Sequence, residues 1–174
     1  MMKIVLTGPE STGKSTLAKQ LANHFKTAMV PEYARLFIDE LDRPYVESDL
    51  LEIAKKQLEL ENRQMPEAVN LLICDTDLVT IKIWSEYKYQ RCDSQILEWI
   101  DRQRYDHYLL CGIDLEWQFD PQRENPNDRE ALYGIYKKEL AFYKKAFTEI
   151  TGDTHQRFQQ AVETILSLLE KNKL

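Results

Sequence analysis

The chain has 174 residues, 43% of them hydrophobic and 30% charged, and a formal net charge of −6. That size and mixture suit one domain with a buried core, and the acidic balance leaves no basic face for nucleic acid or an anionic membrane. No apolar run reaches the ~18 residues that a bilayer span needs, so no membrane partner is expected. The chain opens directly on a strand-like run, which leaves no room for a signal peptide. Two of its three cysteines, Cys74 and Cys111, lie in apolar runs. They read as reduced core thiols of a cytoplasmic protein, not as a disulfide framework or metal site.

Residues 3–7 (Lys-Ile-Val-Leu-Thr) read as a short buried strand. The strand runs into Gly8-Pro9-Glu10-Ser11-Thr12-Gly13-Lys14-Ser15, a match to G-x-x-x-x-G-K-[ST]. Leu17, Ala18, Leu21, Ala22 and Phe25 then recur at helical spacing, which predicts a helix over 14–26. A strand turning tightly into a helix aims backbone N–H groups and the positive helix end at one point. That arrangement is a polyphosphate site, and the expected ligands are ATP and Mg²⁺. Gly8, Glu10, Ser11, Thr12, Gly13 and Thr16 would form the cradle. Lys14 would reach the β/γ-phosphates, and the Ser15 hydroxyl would hold the metal.

A second strand is predicted at 27–30, followed by Pro31-Glu32-Tyr33-Ala34-Arg35 and a helix over 33–41. Glu32 is placed to orient an acceptor hydroxyl or take its proton. Tyr33 and Arg35 fall in the same candidate substrate wall. A helix over 47–65 leads to the third strand, 70–75, a continuous apolar run ending in Asp75. Continuous runs suit strands covered on both faces. A carboxylate ending such a strand beside a P-loop fits a metal-side role. Asp77 is either the N-cap of the next helix, 77–87, or a substrate ligand. Trp84 and Tyr87, three apart on that helix, are candidates to hold a flat ring, with Tyr89 nearby.

A helix over 94–103 precedes the fourth strand, 107–111. Next comes a polar, Pro-containing stretch, 117–129, that reads as a lid. Its Arg123 and Arg129 could stabilise charge on a transferring phosphoryl group, and Trp117 could close over the ring. Asn127 and Glu130 suggest a capping pair for a helix over 127–143. A fifth strand is predicted at 146–151. The last helix, 154–171, has Phe158, Ala161, Val162, Ile165, Leu166 and Leu169 on one face. His24, His107 and His155 are scattered and read as structural. The alternation, opened by the P-loop, implies a three-layer α/β P-loop NTPase fold with a five-stranded parallel sheet. Ligands in such sheets bind at the carboxyl ends of the strands. No feature of the pattern selects an oligomeric state.

Several segments together resemble the nicotinamide riboside kinase domain of NadR-type NAD-biosynthesis proteins. They are Gly8–Leu17 (GPESTGKSTL), Pro31–Arg35 (PEYAR), Asp75–Tyr87 (DTDLVTIKIWSEY), Tyr108–Trp117 (YLLCGIDLEW) and Asp120–Arg123. The resemblance implies a nucleoside/nucleotide-kinase-like version of this fold and ATP-dependent phosphorylation of the 5′-hydroxyl of nicotinamide riboside. It places Lys14 and Ser15 on ATP–Mg²⁺, and Glu32, Asp75 and Asp77 in the metal and acceptor region. Two departures stand out. Better-known members carry a nucleotidyltransferase domain before the kinase; here the chain begins at the P-loop strand, so adenylylation is expected to need another protein. The family's glycine after the lid aspartate is replaced, giving Asp120-Pro121-Gln122-Arg123, and proline stiffens that turn.

Two other functions compete with this one: a kinase for another nucleoside or small metabolite, and an AAA-type ATP-binding regulator. Against the regulator, Asp75 is followed by Thr76 rather than by a water-activating Glu.

Overall fold

The structure is a computed structural model that describes residues 1–171. Five strands, β1 (Met2–Thr7), β2 (Met29–Val30), β3 (Leu71–Asp75), β4 (His107–Cys111) and β5 (Phe147–Ile150), form one sheet in the order β2-β3-β1-β4-β5. Every pairing is parallel. The register sets Leu6 opposite Asp75, Thr7 opposite Leu110 and Cys111 opposite Ile150. The P-loop, Asp75 and the segment after β4 therefore leave the sheet from one carboxyl edge.

Alternation along β1 divides the core. Val5 faces one side with Val30, Leu72, Cys74, Tyr108 and Leu110. Helices α2 (Tyr33–Asp39), α3 (Glu47–Gln64), α4 (Leu78–Tyr89), α5 (Ser94–Arg102) and α6 (Arg129–Phe142) contribute residues to that side. Met2, Ile4 and Leu6 face the other side, under α1 (Lys14–Phe25) and α7 (Thr154–Lys171). Ile4, Leu6, Leu21, Leu72 and Ile73 are fully buried, each burial stabilising by ~1.5–3 kcal/mol. Both faces of the sheet are covered, which accounts for the continuous apolar runs.

Several boundaries differ from the sequence expectations. β2 has only two residues, because only Met29 and Val30 pair with β3 at this sheet edge. α2 stops at Asp39, and α4 runs on to Tyr89. α6 starts at Arg129, so Glu130 falls one position short of a capping box. Asn127 and Glu130 form no such pair, and Asp128 at the N-cap makes no side-chain capping bond. Leu166 is 46% exposed, off the packed stripe of α7. Cys74 and Cys111 are buried free thiols. Among the described residues, no helix is long and apolar enough to cross a membrane.

Candidate active site

The loop between β1 and α1 is held by close backbone approach. Gly8 has φ +130°, and a Cβ there would come within 2.7 Å of the Cys111 carbonyl oxygen. Gly13 and Ser11 are also left-handed, with φ of 75° and 56°. Thr12 Oγ1 donates to the Pro9 carbonyl at 2.8 Å, and Lys14 Nζ donates to the same oxygen at 2.7 Å. Three left-handed residues within six positions fold the loop tightly onto the start of α1, the kind of turn from which an anion cradle is built.

A cavity of about 810 Å³ lies over this loop. Gly8, Glu10, Ser11, Thr12, Gly13, Lys14, Ser15 and Thr16 line one end. Glu32, Arg35, Trp84, Tyr87 and Arg123 line it as well. The structure therefore brings together most of the residues picked out in the sequence. It also adds Ile38, Tyr45, Lys88, Glu124 and Leu132 to the wall.

Glu32 stands at the N-cap position of α2, immediately beyond β2. Its backbone is fixed by Gln57, a buried side chain on α3. Gln57 Oε1 accepts from the Tyr33 N–H at 2.7 Å, and Nε2 donates to the Pro31 carbonyl at 3.2 Å. Burial and the neighbouring Asp75 push the Glu32 carboxyl up to about 7, while Lys14 and Arg35 pull it down. Asp75 is 2% exposed, and its Oδ1 has no hydrogen-bond partner among the described residues. Burial raises it, and the Ser15 hydroxyl, Lys14, Lys19 and Arg35 hold it back. An unpaired buried carboxylate oxygen beside the Ser15 hydroxyl suits a divalent cation, so Ser15 and Asp75 fit Mg²⁺.

Five candidates do not line the cavity: Asp75, described above, and Asp77, Tyr33, Trp117 and Arg129; of these, Asp77 stands at the N-cap position of α4, one of its two expected places. Asp77 is 1% exposed and absent from the cavity wall; its Oδ2 accepts from the Tyr108 hydroxyl at 2.7 Å. Thr76, at φ 69°, breaks the extended run between the two aspartates and separates their surroundings. Burial pushes the Asp77 carboxyl up to about 6. Tyr33 packs on the core beside Phe37, not into the cavity. Trp117 is also outside the wall, with the Arg123 and Arg129 guanidinium groups each 5.8 Å from its ring. Arg129 itself donates to the Ser11 and Leu115 carbonyls, at 3.2 and 2.9 Å, in place of lining the cavity.

The 117–129 segment rests on both ends of the site. Glu10 accepts from the backbone N–H groups of Glu124 and Asn125, each at 3.1 Å. Ser11 Oγ accepts from Gln118 N at 2.9 Å and from Arg123 at 3.3 Å. Gln122 donates to the Arg35 carbonyl at 3.3 Å and to Asp39.

Arg157, on the first turn of α7, is a site residue that sequence reasoning missed. It is 3% exposed and lines the cavity. Its guanidinium donates to the carbonyls of Gly152, Thr12 and Gly112 at 2.7–2.9 Å, and to Asp114 Oδ2 at 2.9 Å. One side chain thereby ties the P-loop to the ends of β4 and β5. Apart from Phe158, its near neighbours in sequence are polar and give no sign that a charged residue here is buried.

Residues 3–157 match the profile of the AAA_28 family, described as an AAA domain. The chain belongs to this AAA-domain family. This AAA domain is homologous to the trifunctional NAD biosynthesis/regulator protein NadR of Salmonella typhimurium, 28% identical over 176 residues. That alignment takes in 95% of this chain and 42% of the relative. The AAA domain thus spans less than half the length of the curated relatives it matches. Among solved structures, a NadR protein in complex with NR superposes with a TM-score of 0.75 at 16% identity, covering 94% of this chain and 48% of that one. A NadR protein in complex with NAD and AMP-PNP gives 0.73 at 17% identity, with the same coverages. The thymidylate kinase of Ehrlichia chaffeensis gives 0.68 at 13% identity, covering 94% and 98%. The AAA domain therefore has the P-loop fold found in nucleoside and nucleotide kinases.

Proposed function

We propose that the chain is an ATP-dependent kinase that phosphorylates the 5′-hydroxyl of nicotinamide riboside. The observation that carries this reading is a single cavity joining the P-loop to Glu32, Arg35, Trp84 and Tyr87. Homology to NadR supports the choice of acceptor. In this reading Lys14 and the loop amides hold the ATP phosphates, and Ser15 with Asp75 holds Mg²⁺. The metal would supply positive charge where the transferring phosphoryl group develops negative charge. Glu32 accepts the acceptor's hydroxyl proton as the O–P bond forms, which its raised affinity for protons suits. Arg123 covers the phosphate end, and the 117–129 segment keeps water from competing with the acceptor. Trp84 and Tyr87 take the ring of the riboside.

The test is ADP release with ATP and Mg²⁺ against nicotinamide riboside, common nucleosides and deoxynucleosides, and no acceptor. ADP formed with the riboside, and mononucleotide detected by mass, is the expected result. Turnover only with another nucleoside would retain the chemistry and replace the acceptor. ADP release indifferent to every acceptor would overturn the kinase reading in favour of an ATPase.

A further inference from the structure

The cavity wall carries a polar cluster that phosphoryl transfer does not use. Glu124 Oε1 accepts from Lys88 Nζ at 2.7 Å, and Oε2 accepts from the Tyr45 hydroxyl at 2.8 Å. The Lys88 ammonium also lies 3.9 Å from the centre of the Tyr45 ring. Tyr89 steadies the cluster, its hydroxyl donating to the Tyr45 carbonyl at 3.3 Å. Residues 84, 87 and 88 are three and four apart on α4, so indole, phenol and ammonium share one helix face. All of Tyr45, Trp84, Tyr87, Lys88 and Glu124 line the one cavity.

The cluster has capacity to spare. An ammonium carries three donors and a carboxylate about four acceptor sites, and their mutual bond uses one of each. The Lys88 and Glu124 side chains retain 35% and 44% exposure, so the remaining sites are open to a ligand.

We propose that Lys88, Glu124 and Tyr45 read a carboxamide on the ring of the acceptor riboside and select the amide over the corresponding acid. This inference rests on the riboside-kinase reading of the cavity. A primary carboxamide presents a carbonyl oxygen and an NH₂ group side by side. Lys88 donates to the oxygen, Glu124 accepts from the NH₂, and the Tyr45 hydroxyl holds the second Glu124 oxygen in place. A carboxylate at the same position gains from Lys88 but sets a like charge against Glu124. Neither of its oxygens can donate, so the acceptor side of the cluster goes unmatched. A ring joined to ribose as a pyridinium is also cationic, and gains from the Trp84 and Tyr87 faces and from the Glu124 charge.

The experiment compares kcat/KM for nicotinamide riboside and nicotinic acid riboside in the full chain and in Glu124→Gln and Lys88→Met. The unsubstituted protein is expected to favour the amide by about 10–100-fold, the range that one mismatched polar group commonly produces. Glu124→Gln should shrink that ratio by gaining on the acid. Lys88→Met should lose efficiency with both ribosides through KM rather than kcat. Phosphorylation of both ribosides with equal efficiency, or a ratio unmoved in Glu124→Gln, overturns the inference and leaves the kinase reading intact. Phosphorylation of neither riboside, with turnover of another nucleoside, overturns both.

Discussion

Both terminal nitrogens of Arg35 converge on Oδ2 of Asp120, at 2.9 and 2.5 Å. Arg35 belongs to the helix that follows Glu32, and Asp120 belongs to the segment lying on the P-loop. In the proposed kinase reading the pair therefore joins the acceptor wall to the cover of the phosphate end. The Arg35 side chain is 43% exposed, so the pair contributes under about 1 kcal/mol to folding. Asp120→Asn should accordingly leave Tm within a few degrees while loosening the cover. The expected outcome is more acceptor-independent ATP hydrolysis relative to transfer, read by comparing ADP with phosphorylated product. An unchanged ratio would remove the pair from control of water access.

Glu32→Gln keeps the shape of the side chain and removes its capacity to take a proton. General-base catalysis is commonly worth about 10²–10⁴-fold, and kcat should fall within that range. The affinity for ATP, measured by direct titration, should change far less. Equal activity would exclude Glu32 as the base.

Arg157→Met leaves three backbone carbonyls without their guanidinium partner. Unmade bonds to buried groups are expensive, and the variant should lose about 2–4 kcal/mol of stability in denaturant unfolding. A purely structural role would lower active protein without altering KM. Tethering of the P-loop through the Thr12 carbonyl predicts instead that KM for ATP rises more than KM for the acceptor. Arg157→Lys should restore part of that difference.

Asp49 provides a test by pH. Arg43 donates to both of its oxygens, and the Val46 N–H at the start of α3 donates to Oδ2 at 2.8 Å. The Arg43 bonds hold this carboxyl below its ordinary 3.8. Because the folded value is depressed, the stabilisation is present above that ordinary value and is lost as pH falls through the folded one. Asp49→Ala should cost about 1 kcal/mol near neutral pH, as loss of a helix cap does. The two proteins should converge in acid, and a difference persisting below the folded value would contradict the assignment.

How much of this was legible in the sequence depended on the range of the interactions involved. The P-loop, β3 and β4 were plain because their signals are local: fixed glycine spacing and unbroken apolar runs. Glu32 and Asp75 were picked out by their places at strand ends, and the structure puts Glu32 in the cavity wall and Asp75 buried at the end of β3. Asp77 was legible as the N-cap of α4, but its bond to Tyr108 was not, because it depends on one residue, Thr76, turning left-handed. Trp117 was misplaced because arginines elsewhere in its segment lie beside its ring. Gln57 and Arg157 gave no signal, since each acts on backbone carbonyl or amide groups far away in the chain. The Tyr45–Glu124–Lys88 cluster joins three separate segments and could be recognised only in three dimensions.

β2 is a two-residue strand at the margin of the sheet, whereas β1 is a six-residue strand between two neighbours. Short edge pairings open at low free energy, and central strands open only with the whole domain. Amide hydrogen exchange should therefore be graded across the cavity, fast around Met29–Val30 and slow along Met2–Thr7. The nucleotide end would be an inflexible anvil, and the wall bearing Glu32 would be free to adjust to what is pressed against it.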